Sequence, residues 1–168
     1  MTQRKRSLII MLGLQAIVLG QSFVVRAQDA HLYLNAAAPA EQRVTDLLSR
    51  LTLEEKIGQL NVYCAHHSYT KDANGITMAD PLKKFLEGPG VGTVYGALIA
   101  DVWTQTTAKN GLSPRQQAEF TDMIQRYAIE HSRLGIPVLF ATEASHGHMA
   151  LGATVFPTPI GLGSTWDP

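Results

Sequence analysis

Residues 136–147 read IPVLFATEASHG, a run that is apolar up to Phe140 and then turns polar within a few residues. Contiguous apolar residues such as Val138, Leu139 and Phe140 suit a parallel strand covered on both faces, whereas a half-exposed strand would alternate. The segment before it, SPRQQAEFTDMIQRYAIEHSR at 113–133, opens with an N-cap serine and with Pro114 at the first helical position. Phe120, Ile124, Tyr127 and Ala128 then share one face of the predicted helix, which Leu134-Gly135 ends. Further upstream, GPGVGTVYGALI at 88–99 places Val91 and Val94 in a second buried strand. Strand, long helix and strand in this order make a βαβ unit and point to an α/β fold.

Polar residues at the C-terminal ends of parallel strands line ligand sites in such folds, because the strand fixes them while the following loop leaves them accessible. Glu143 holds such a position. A carboxylate there can accept two hydrogen bonds from vicinal hydroxyls, although the residues alone leave a structural ion pair or helix cap equally open. His146 and His148 complete an E-x-x-H-x-H grouping that lacks the i, i+4 histidine pair of a helical zinc motif, so no metal site is expected. Ser145 beside His146 is no catalytic triad, since chain neighbours rarely face one another and the G-x-S-x-G elbow is absent. His146-Gly147 is read as a buried, hydrogen-bonded corner. In the glycine-rich stretch, Tyr95 occupies the place where G-x-G-x-x-G needs a small residue, which argues against a dinucleotide fold.

Around this unit, RVTDLLSRLTLEEKIGQL at 43–60 predicts two short helices. Val44, Leu47, Leu48 and Leu51 form a stripe on the first, and Thr52 with Glu55 forms a capping box that starts the second, which carries Ile57 and Leu60. Residues 66–81 are polar and turn-rich and are read as an inserted loop. Asp72-Ala73-Asn74-Gly75 within them is a turn, since the later acidic ligands of a calcium loop are missing. Cys64, the single cysteine, is read as a small packed hydrophobe.

Residues 1–27 join a basic start (QRKRS) to an apolar run from Leu8 to Gly20 and a small-residue cleavage context at Val25-Arg26-Ala27, the pattern of a signal peptide. The run is short of the roughly 20 residues that span a bilayer, so no membrane anchor is expected after cleavage. Residues 28–42 are read as a linker, and 43–168 as the folded part. The whole chain has formal net charge zero, but the leader holds four basic residues and no acid, so the remainder sits near −4. That balance does not provide the basic surface that nucleic acid requires. Asp167-Pro168 makes a good N-cap and N1 pair, as if the chain stopped where a helix begins, so residues 43–168 are expected to be truncated.

Taken in order, RVTDLLSRLTLEEKIGQL, SRLGIPVLFATEASHG and TVFPTPIGLGSTWDP resemble the N-terminal part of family 3 glycoside hydrolases, the β-glucosidase and β-xylosidase type. The resemblance implies that 43–168 is an incomplete N-terminal part of a (β/α)8 TIM-like barrel acting on carbohydrate without a cofactor. It implies that Glu143, where many members have aspartate, holds sugar hydroxyls in the −1 subsite. His146 and Gly147 match the family's His-Gly and are assigned to shaping the pocket. The mechanism implied is retaining hydrolysis at the non-reducing end of β-glucosides or related β-linked sugars, with nucleophile and acid/base both beyond Pro168. Glu55 and Asp167 are not candidates for those roles, because each already has a capping explanation. The implied location is periplasmic or secreted. A non-catalytic periplasmic sugar-binding module is the competing reading.

Overall fold

A computed structural model describes residues 31–167. The expected leader lies outside the described residues, as does Pro168 of the expected helix start. The chain forms two compact units that divide after Arg50.

The first unit holds a 3-10 turn, Leu32–Leu34, and helix α1, Ala40–Arg50. Asp46 joins them: its carboxylate accepts the Tyr33 amide at 3.0 Å and the Arg50 Nε at 3.0 Å, while Arg43 Nε donates to the Tyr33 carbonyl at 3.0 Å. Helix α1 therefore begins inside the stretch read as linker. Its apolar stripe is not covered as the periodicity predicts, for Val44 and Leu48 are half exposed and no α1 residue is buried. The three-residue turn beside it is too small to cover the stripe.

The second unit is α/β. Helix α2, Leu53–Leu60, starts on the predicted capping box: Thr52 Oγ1 accepts the Glu55 amide at 3.2 Å, and Glu55 returns the bond by accepting the Thr52 amide at 2.8 Å. Arg133 closes on the same carboxylate with both Nε, at 2.8 Å, and Nη2. There follow β1, Val62–Cys64; a hairpin of β2, Tyr69–Asp72, and β3, Gly75–Met78; α3, Asp80–Glu87; β4, Thr93–Tyr95; α4, Pro114–His131; β5, Leu139–Ala141; and α5, Pro159–Gly163. Strands β1, β4 and β5 pair in that order, all parallel. The predicted unit β4-α4-β5 is thus preceded by a second, β1-α3-β4, and α3 and α4 pack on each other. Leu82 and Leu86 of α3, Phe120, Ile124 and Ala128 of α4 and Val94 of β4 form the core between helices and sheet.

Three expectations need correction. Residues 66–81 are not a plain loop, because Asp72 Oδ1 accepts the Asn74 amide at 2.7 Å and folds a tight turn that pairs Tyr69–Asp72 with Gly75–Met78. Only alternate side chains of this hairpin turn inward: Met78 is buried, and Tyr69 sets its ring edge-on to Phe120. The strand predicted around Val138, Leu139 and Phe140 is three residues long, Leu139–Ala141, and it is not covered on both faces; Leu139 is 71% and Phe140 40% exposed. It is the edge of the sheet, and since neighbouring strand residues point to opposite faces, both faces are open there. Cys64 is exposed rather than packed. Ile57 and Leu60, the apolar residues that α2 carries, are also exposed, and Gly58 is the helix's buried residue.

That glycine explains the glycine-rich stretch. A Cβ at Gly58 would stand 2.8 Å from the Gly90 carbonyl oxygen, and one at Gly92 would collide with the Gln59 carbonyl. Gly58 and Gly92 let the α2 backbone lie directly on the start of β4, a reason of close approach rather than phosphate binding.

Two outcomes are expected. Gly92→Ala should destabilise the fold by about 3 kcal/mol, because backbone, not a mobile side chain, blocks the added methyl; denaturant unfolding measures it. Arg133's hydrogen bonds hold Glu55 well below its ordinary pKa of 4.5, at about 2, helped by the Thr52 amide. A depressed carboxylate gives stability that is fully present above pH 4.5 and is lost as pH falls through about 2. Acid titration of unfolding should therefore show the native protein losing more stability over that window than Arg133→Gln.

Candidate active site

The register sets Cys64, Tyr95 and Ala141 abreast at the C-terminal ends of the three parallel strands. Backbone bonds extend that alignment one residue further: the Ala65 amide donates to the Tyr95 carbonyl at 2.8 Å, and the Gly96 amide to the Ala141 carbonyl at 3.0 Å. The residues just beyond each strand, His66 after β1 and Glu143 after β5, consequently gather beside Tyr95 on one edge of the sheet. His66 and Tyr95 lie with ring centroids 5.8 Å apart. Gly96 is what admits the imidazole, since a Cβ there would strike His66 Nε2.

Glu143 is exposed at this edge, while Tyr95 is half-buried. Burial pushes the Tyr95 phenol above its ordinary pKa, and the charge and hydrogen-bonding of Glu143 push it further. Tyr95 is thus a neutral donor toward an anionic acceptor. Asp101, in the loop after β4, is the second carboxylate of the region. It is held below the ordinary carboxylate range, first by the Thr104 amide at 2.8 Å, and burial, which acts the other way, is outweighed with the help of the Thr104 hydroxyl, the Trp103 amide and the charge of His66.

The predicted corner follows β5. Gly147 turns with φ 105°, where a Cβ would meet the Thr154 carbonyl, and the His146 carbonyl accepts the Phe156 amide at 2.6 Å. His146 and His148 are half-buried. Their Nδ1 atoms, and Nε2 of His66, are buried without a hydrogen-bond partner. Among the described residues no three His, Cys, Asp or Glu side chains converge as a metal-binding group. At the other end of the strands, Glu55 and Arg133 line a cavity of about 20 Å³, room for about one water, beside Val91 and Val138. It accompanies an ion pair rather than chemistry.

His66, Tyr95 and Asp101 were not singled out as site residues by the sequence pattern. The signal for Tyr95 was its place at the end of a predicted strand, and Glu143 likewise follows the apolar run of its own strand. His66 sat in a segment read as loop, and its strand is too short to give a period.

The profile "Glycosyl hydrolase family 3 N terminal domain" matches residues 52–168. The chain belongs to this family. It is 32% identical over 137 residues to a candidate beta-xylosidase of Formosa agariphila, covering 81% of this chain and 16% of that protein. It is 31% identical to beta-glucosidase C of Emericella nidulans, covering 94% of this chain and 24% of that one. A periplasmic beta-glucosidase/beta-xylosidase of Dickeya chrysanthemi is 31% identical, with 77% of this chain and 19% of that protein covered. The chain spans about a quarter or less of the length of these relatives. The family 3 match runs from the α2 capping box through all three strand ends, so both βαβ units lie within it. Among the described residues no helix is long and apolar enough to cross a membrane.

The Tyr95 environment gives a direct check. Glu143→Gln removes the charge but keeps an acceptor, so the Tyr95 phenol should titrate lower in that variant, by NMR of its ring carbons. It should stay above the free-tyrosine value, because burial remains.

Proposed function

We propose that this chain is the N-terminal part of a retaining β-glycosidase that removes a sugar from the non-reducing end of β-glucosides or related β-linked sugars, in the periplasm or outside the cell. The observation that carries the reading is Glu143, an exposed carboxylate directly beyond a parallel strand, inside the stretch that matches family 3. Two consecutive βαβ units whose strands add in sequence order suit the start of a (β/α)8 barrel, in which ligands sit at this end of the strands. The names of the relatives supply the sugar chemistry, and the Dickeya chrysanthemi name supplies the periplasm.

In this reading Glu143 accepts hydrogen bonds from hydroxyls of the sugar in the −1 subsite, and Tyr95 keeps its carboxylate aligned. His146 and Gly147 shape the wall of the pocket. The two carboxyls of the retaining reaction, about 5 to 5.5 Å apart in such enzymes, come from the protein beyond Pro168. One attacks the anomeric carbon, and the other protonates the leaving oxygen and then activates water. Residues 1–168 alone bind no complete transition state and have no turnover.

The test is Glu143→Ala in the whole protein, with β-glucoside and β-xyloside turnover measured. A charge-assisted hydrogen bond that tightens in the transition state predicts a loss in kcat/KM of about ten- to hundredfold, with kcat falling as well. Unchanged kinetics would remove Glu143 from the site. Sugar binding without any hydrolysis by the native whole protein would favour the binding-module reading instead.

A further inference from the structure

Two segments that take no part in the grip of Glu143 face one another beyond the strand ends. The hairpin β2-β3 follows β1, and the loop at 105–111 follows β4, so both leave the parallel sheet at the end where Glu143 stands. Between them lies an open cleft of about 760 Å³, within the roughly 300–1,000 Å³ common to ligand sites. Its lining is polar, with Thr70, Lys71 and Asp72 of the hairpin on one side and Thr106, Lys109 and Asn110 of the loop on the other. Both walls are preformed. In the loop, the Asn110 carboxamide oxygen accepts the Thr107 amide at 2.6 Å and the Thr107 hydroxyl at 3.0 Å, while its Nδ2 donates to the Gln105 carbonyl at 3.1 Å. These bonds hold Gln105 at φ 52°, a left-handed conformation that a residue with a side chain seldom adopts. From the hairpin, Lys71 Nζ donates to the Gly111 carbonyl at 2.7 Å and ties the two walls together.

The charges of this cleft do not cancel. A lysine ammonium has three donors, and the Gly111 carbonyl takes one of those on Lys71. Lys109 spends its backbone amide on the Thr107 hydroxyl at 3.3 Å, and its ammonium has no partner among the described residues. Asp72, the carboxylate of the lining, accepts the Asn74 amide at 2.7 Å to fold the hairpin's turn and pairs with neither lysine. The chain after the leader sits near −4, so this local excess of positive charge is not a share of a generally basic surface.

We propose that this cleft binds an acidic group, a carboxylate or a sulfate ester, carried on a saccharide. Lys71 and Lys109 hold the anion from opposite walls, and the hydroxyls of Thr70 and Thr106 meet the hydroxyls of the sugar that bears it. That the anion rides on a sugar rests on the glycosidase reading above; that the cleft takes an anion rests on its own charges. The spare ammonium donors make charge-assisted bonds to such a group, and the tie between Lys71 and Gly111 fixes one cation before the ligand arrives, so less freedom is lost on binding. Because the cleft opens at the Glu143 end of the strands, a chain gripped there can lay a substituted residue in it. The protein thereby favours acidic chains over neutral ones of the same backbone.

The experiment measures binding to the whole protein by calorimetry, using thio-linked β-xylo-oligosaccharides, which resist cutting. One carries a glucuronic acid branch, one a sulfate ester at the same position, and one is unsubstituted. An acidic chain should bind native protein about three- to tenfold more tightly than the neutral one, with the difference shrinking as salt rises. Lys109→Gln, at an exposed loop position, should remove most of that preference and leave neutral binding unchanged, and Lys109→Arg should keep it. Lys84→Gln on α3 removes the same charge elsewhere and should leave the preference intact. Tighter binding of the branched chain alone assigns the site to a carboxylate, and of the sulfated chain alone to a sulfate ester. Equal binding of all three chains, binding of none, or a preference that survives Lys109→Gln would overturn the proposal. Tight, Lys109-dependent binding of an acidic chain, with no hydrolysis of any oxygen-linked counterpart, would uphold the cleft and overturn the glycosidase reading.

Discussion

Gly92 is bonded to both sides of the sheet at once: its amide donates to the Gly58 carbonyl at 3.1 Å, and its carbonyl accepts the Leu139 amide at 2.9 Å. The C-terminal turn of α2, the entry to β4 and the entry to β5 meet at this single residue. With strands of three residues, the ladder alone offers few bonds to fix the register, so the junction before the strands matters more than the strands' own propensity. Any side chain at Gly92 would force α2 off the sheet. Once this contact sets the starting point, Cys64, Tyr95 and Ala141 come abreast, and the residues that follow them must meet at the other end.

The helices cover one face of the sheet, and the remaining apolar surface is considerable. Leu139 and Phe140 on β5 and Leu53, Ile57 and Leu60 on α2 are exposed. At roughly 25 cal/mol per Å² of apolar surface, leaving such groups in water forgoes much of what they could contribute. A parallel sheet is ordinarily covered on both faces, and an apolar edge strand is ordinarily paired. The barrel proposed here would satisfy both demands, since closure pairs every edge and the barrel interior packs the inner face.

How far the sequence could be read depended on the length of each element. Helix α4 was legible throughout, because 18 residues give several turns of period and Ser113-Pro114 marks its start; the structure adds a capping box between Ser113 and Gln116. The break at Thr52 was legible for the same reason, through cap chemistry rather than hydrophobicity. Strand β1 left no trace, since three residues show no alternation, and the hairpin was hidden by the polar outer face of a two-stranded ribbon. Burial was the least legible quantity. An apolar residue in a sequence reports what could be buried, and Leu139, Ile57 and Cys64 show that the covering partner is a separate fact. At the strand ends, Glu143 was visible through its neighbours in one run. The company it keeps comes from the ends of two other strands, which no local pattern encodes.

Two carboxylates stand at this edge, and their surroundings divide the work between them. The acceptor positions of Asp101 are engaged by its own loop, through the amide and hydroxyl of Thr104 and the amide of Trp103, and this is why its charge is favoured. A carboxylate so engaged is a structural anchor, and withdrawing it to bind a ligand would release the turn. Glu143 is exposed, and the side chain that acts on it from the neighbouring strand is a phenol kept neutral by burial and by the carboxylate's own charge. One donor leaves lone pairs on the carboxylate for a ligand, while fixing the direction in which they point. The choice of Glu143 over Asp101 as the group that grips a sugar therefore follows from hydrogen-bond capacity, and the same capacity argument makes Asp101 the device that holds the loop after β4 in place.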